Sequence, residues 1–96
     1  MPLMPIRIFR VAERSMEPSI KEGSYVIAYC WRPKLNSGDA IVFRSPNGGM
    51  VLVKRIKSIS GGRIFAVGDN LKESTDSREF GDFGVDQVMG KVIFVV

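Results

Sequence analysis

Two turns, Pro46-Asn47-Gly48-Gly49 and Gly61-Gly62, bracket the segment Met50 to Ser60 and restrict the chain more than any other feature. Glycine and asparagine tolerate the positive φ angles that tight hairpins require, so each turn folds the chain back on itself. Met50 to Ser60 then reads as a long strand, joined at each end by a tight turn to the strand before and the strand after. With period-two alternation Met50, Leu52, Lys54 and Ile56 share one face, and Val51, Val53, Arg55 and Lys57 share the other. Five further segments are short, rich in Val, Ile, Phe and Tyr, and separated by turn residues: Ile6 to Val11, Ser24 to Tyr29, Asp39 to Arg44, Arg63 to Val67 and Val88 to Val96. The expected fold is therefore all-β, a small single domain of coiled antiparallel strands. Helix is expected only as short turns near Ser15 to Lys21 and Val85 to Val88.

Ninety-six residues support one small domain, and a hydrophobic content of 45% argues for a folded chain. The longest apolar runs, such as Val92 to Val96, are far too short to cross a bilayer. No charged start followed by a long apolar core and a small-residue cleavage site is present. A soluble, cytoplasmic protein is expected, and the net charge of +4 leaves peripheral contact with an anionic membrane surface open. Nucleic acid is not an expected partner, because the lysines and arginines are scattered without a dense run and the aromatics follow no RNA-recognition pattern. Cys30 is the sole cysteine and there is no histidine, which excludes an internal disulfide and removes the commonest metal ligand. No metal and no cofactor are expected.

The missing histidine also excludes a Ser-His-Asp triad and leaves a serine with a lysine as the most plausible nucleophile and base. A lysine acts as a base only when neutral, and burial in apolar surroundings favours the neutral form. Lys54, on the face it shares with Leu52 and Ile56, has such surroundings. By pattern alone the favoured reading is a stem packed on that face with its ammonium reaching water. Ser15 could be an exposed loop serine or the N-cap of a short turn. Pro18 restricts the backbone after it, and Met16 offers an apolar anchor.

Three segments taken together decide between these readings. Ser15-Met16-Glu17-Pro18, then Lys54-Arg55, then Gly68-Asp69-Asn70 with Ser74-Thr75-Asp76-Ser77-Arg78 resemble, in order and internal spacing, the motifs of type I signal peptidases. The resemblance runs from about Val11 to the Gly90-Lys91-Val92 segment. It implies a signal-peptidase-like catalytic core in which residues 1–96 form one Ser/Lys-dyad peptidase domain. Ser15 would be the nucleophile, with its own N–H in the oxyanion hole, and Lys54 the base. Ser74 would hydrogen-bond and orient Lys54. Asp76 and Arg78 would form charge pairs that fix the loop, with Arg55 or Asp69 as further partners. Leu71 to Gly84 would be an ordered loop. Many relatives have a small residue two positions before the nucleophile; here Glu13 stands there, and it is expected to point away or pair with a cation, since a carboxylate repels a developing oxyanion.

The implied reaction is cleavage of a protein substrate bearing an N-terminal leader or propeptide, bound as an extended strand with small side chains before the scissile bond. The run Asp76 to Gly81 and the missing membrane span are similar to the small proteases that trim the N-terminal extension of nickel-type superoxide dismutase, the preferred substrate. A signal peptidase I catalytic domain acting on secreted preproteins is the alternative, with LexA-type self-cleaving proteins third. From another class, a small basic β-barrel binding module without catalysis remains.

Overall fold

The structure, a computed structural model, describes residues 5–96. Around the two turns the chain forms an antiparallel meander of β3 (Ala40–Arg44), β4 (Val51–Ser60) and β5 (Arg63–Val67), with Val42 opposite Val53 and Ile59 opposite Ile64. Gly61 and Gly62 take φ angles of 55° and 76°, where a side chain would strain the turn. At the other end β1 (Ile6–Arg10) pairs with β2 (Tyr25–Tyr29), and β7 (Val88–Val95) enters between β2 and β3. A two-residue strand, β6 (Phe83–Gly84), closes on β5. The result is an all-β fold, one antiparallel sheet of seven strands in the order β1-β2-β7-β3-β4-β5-β6. Bulges between Ile27 and Ala28, Val42 and Phe43, and Ile56 and Ser58 add twist, and the sheet curls into a half-barrel.

Alternation along the strands sorts the apolar side chains onto two faces. Ile41, Phe43, Leu52, Ile56, Ile64, Ala66 and Phe83 form one buried cluster, in which the rings of Phe43 and Phe83 stack with centroids 4.2 Å apart. Val42, Val26 and Ala28 form a second, completed by Val11, Met16 and Ile20. The β3 strand is thus buried on both faces, as its unbroken Ala-Ile-Val-Phe run requires. Met16 and Ile20 come from the connection between β1 and β2, so this segment is held down by its own apolar side chains. Burying a side chain of that size stabilises by about 1.5–3 kcal/mol. A hydrogen bond from Ile20 N–H to the Met16 carbonyl, 2.9 Å, closes a single turn there without a continuing helix.

The six expected strands are present, each end within one residue of its expected position. Leu71 to Gly84 departs from the expected loop. It contains a 3-10 turn (Leu71–Glu73), a short helix α1 (Ser77–Phe80) and β6. Asp76 caps α1 by accepting from the Arg78 N–H at 3.1 Å, and Gly81, with φ of 84°, ends it. The turn expected near Val85 to Val88 is a 3-10 turn, Val85–Gln87. Among the described residues no helix is long and apolar enough to cross a membrane.

Candidate active site

Lys54 lies mid-way along β4 between Leu52 and Ile56 on the buried face, opposite Ile41 in β3. Its relative exposure is 0%, and among the described residues its ammonium makes no hydrogen bond. The ammonium does not snorkel to water. Burial pushes its pKa below the ordinary lysine value; the carboxylates of Glu13 and Asp76 oppose this, and the guanidinium of Arg78 assists it.

The register that sets Arg55 opposite Val67 carries Lys54 to the level of Gly68, where β5 ends. Two other motif segments converge on this glycine. A Cβ at Gly68 would collide with the Ser74 hydroxyl and lie 2.5 Å from the Ser15 carbonyl oxygen. Gly68 is therefore a point of close backbone approach, which no side chain larger than hydrogen would allow without movement. Asn70 completes the junction: its N–H donates to the Ser15 carbonyl at 2.8 Å and its side-chain amide to the Arg14 carbonyl at 3.2 Å. Ser15 is 3% exposed, with Met16 beside it fully buried in the second cluster and Pro18 at the surface. It lines a cleft of about 350 Å³ formed with β1, the end of β3 and the beginning of β4.

Beneath this junction Asp76 is wholly buried and accepts five hydrogen bonds. Gly68 N–H (2.9 Å), the Ser74 hydroxyl (2.6 Å) and Arg78 Nη2 (3.1 Å) donate to Oδ2; Arg78 N–H (3.1 Å) and Nε (2.9 Å) donate to Oδ1. Burial alone would raise its pKa, but these donors together outweigh it and hold the carboxyl well below the usual range. The Ser74 hydroxyl is thus committed as a donor to Asp76, and the expected hydrogen bond with Lys54 is not made. A buried carboxylate is the stronger acceptor for that proton. Arg78 also donates to the carbonyls of Leu71 (2.9 Å) and Ser74 (3.3 Å), tying the loop to α1.

The expected charge pairs divide into two. Asp76 pairs with Arg78, and Arg55 pairs in bidentate fashion with Asp69 at 2.8 and 2.9 Å while donating to the Gly38 carbonyl. Glu13 forms no ion pair among the described residues; it is exposed and lines the cleft with Ser15. Sequence reasoning missed Ser77, whose buried hydroxyl accepts from the Ala66 N–H at 3.0 Å and so satisfies a donor of β5. Its position in the Asp-Ser-Arg run was the available signal. Among the described residues no group of three or more His, Cys, Asp or Glu could hold a metal ion.

Ser15, Lys54, Ser74, Asp76 and Arg78 therefore belong to one region, organised around Gly68. The arrangement offers a hydroxyl beside an open cleft and a buried amine whose pKa burial pushes below the ordinary lysine value. No curated protein matches the chain. The family model described as signal peptidase, peptidase S26, matches residues 3–64 and 56–96, nearly the whole length. With that match added to the convergence of its motif segments on one site, the chain belongs to the signal peptidase family, a family of serine peptidases.

Proposed function

We propose that residues 1–96 form one serine endopeptidase domain in which Ser15 is the nucleophile and Lys54 the general base. The observation that carries this reading is the Lys54 ammonium, fully buried and without a hydrogen-bond partner among the described residues, at the level of the glycine against which Ser15 packs. Leaving a buried ammonium unsatisfied is costly, and the neutral amine avoids most of that penalty. Neutral Lys54 takes the proton of the Ser15 hydroxyl as Ser15 attacks the scissile carbonyl, and the protonated lysine then returns it to the leaving amine. In the second half, Lys54 takes a proton from the water that attacks the acyl carbonyl and passes it to the departing Ser15 oxygen, which releases the acid and restores the hydroxyl and the neutral amine. The Ser15 N–H, which donates to no carbonyl or side chain among the described residues, is available to the oxyanion. Asp76 and Arg78 act beneath the dyad, fixing Ser74 and the Gly68 N–H.

The substrate in this reading is a protein with an N-terminal extension. The preferred one is the precursor of a nickel-type superoxide dismutase, supported by the resemblance of Asp76 to Gly81; a secreted preprotein with its signal peptide is the competitor, supported by the family match. Both precursors should be incubated with wild type, Ser15→Ala and Lys54→Met, and the products sequenced from their N-termini. Cleavage of the dismutase precursor by wild type alone is the expected result. Appreciable turnover by either variant would remove the dyad, and cleavage restricted to the signal-peptide substrate would replace the assigned substrate.

A further inference from the structure

The cleft beside Ser15 has an uneven charge distribution. Its floor is apolar, from Phe9, Leu52 and Met89, but Arg7, Arg10 and Arg44 line it as well, with Glu13 the one carboxylate among the lining residues. Four other arginines, Arg14, Arg55, Arg63 and Arg78, are paired with carboxylates. Among the described residues Arg7, Arg10 and Arg44 have no such partner. Arg7 stands over the Phe9 ring at 4.9 Å, and Arg44 donates to the Gly49 carbonyl, contacts that leave their charges uncompensated. A row of unpaired guanidiniums around an apolar trough is complementary to an extended segment that is both apolar and acidic.

The strands also fix where the charge should fall. Arg44 is opposite Val51, three residues along β4 from Lys54, and Arg7 lies at the end of β1 remote from Ser15. For Arg44 this offset along β4 is roughly 10 Å at about 3.3 Å per residue, or three residues of an extended peptide. Glu13, next to Ser15, disfavours a carboxylate at the cleavage point itself. Resting on the peptidase reading above, we propose that this cleft selects substrates carrying an aspartate or glutamate about three residues from the scissile bond.

The test uses matched peptides that differ only by Glu→Gln at each position within four residues of the bond. Binding is measured by fluorescence anisotropy to Ser15→Ala, which reads the cleft without turnover, and cleavage is measured with wild type. The acidic peptide should bind better when its carboxylate is about three residues away, by roughly two- to fivefold for each exposed guanidinium engaged. The preference should shrink in Arg7→Gln and Arg44→Gln and at high salt, and should be unchanged in Lys57→Gln, an equal charge change outside the cleft. Equal binding of acidic and amide peptides, or a preference indifferent to the cleft arginines, would overturn the proposal. Cleavage without the preference sinks the cleft assignment alone; preference without cleavage sinks the peptidase assignment alone.

Discussion

Replacing Asp76 by asparagine probes the network that shapes the site. Every hydrogen bond to this side chain comes from a donor, three at Oδ2 and two at Oδ1. An amide presents one oxygen and one N–H₂ group, so whichever way it is turned the nitrogen faces two or three donors. Removing one partner of a buried charge pair costs about 3–5 kcal/mol, and the low end applies because the Arg78 side chain is 39% exposed and rehydrates. About 3 kcal/mol is a large part of the ~5–15 kcal/mol that a domain has in total. At 4–8 °C per kcal/mol for a chain of this size, Tm should drop by roughly 12–24 °C. Thermal unfolding followed by circular dichroism reads this directly, and a loss below about 1 kcal/mol would refute the reasoning. The pH dependence supplies a second reading. Because the folded pKa of Asp76 lies below its unfolded value, its stabilisation is present above about pH 4 and disappears as pH falls through the folded pKa. The Asp76→Asn variant should lack that part of the acid-induced loss.

Gly68→Ala should destabilise by about 1–3 kcal/mol, because the new Cβ overlaps the Ser74 hydroxyl and the Ser15 carbonyl; it should also lower kcat/KM by displacing Ser15, and wild-type activity at wild-type stability would show that the junction is loose. Glu13→Gln removes the carboxylate that most opposes the depressed pKa of Lys54, so the basic limb of the rate profile should move to lower pH. An unmoved limb would show that Glu13 does not act on the base.

Much of this was legible in the sequence because it depends on local rules. The Gly61-Gly62 turn and the alternation of Leu52, Lys54 and Ile56 place the lysine on a buried face through nearest-neighbour geometry alone. The four residues of α1 are too few to show a helical period, and β6, with two, is too short to show a strand period. Both form because Asp76 caps one and β5 offers an edge to the other. The partner of Ser74 was misassigned for a related reason. Its hydroxyl has both a carboxylate and an ammonium within its region, and only the three-dimensional arrangement brings the Asp76 oxygen to 2.6 Å. The unpaired arginines of the cleft were equally hidden, since sequence shows the cations and not which of them lack carboxylates.

Turnover at this site requires neutral Lys54 as the base, and the pH profile of kcat/KM on a cleaved peptide, which reports the free enzyme's base, measures that requirement most directly. Burial places the folded pKa below the ordinary lysine value, so the rate should climb with a single basic limb centred below about pH 10.4. Stability should not fall with it over that range, because the penalty for burying the ammonium is full below the folded pKa and shrinks as pH rises toward the unfolded value. A limb that coincides with the fully hydrated lysine value, persists in Lys54→Arg, or is replaced by a flat rate from neutral to alkaline pH would contradict the account.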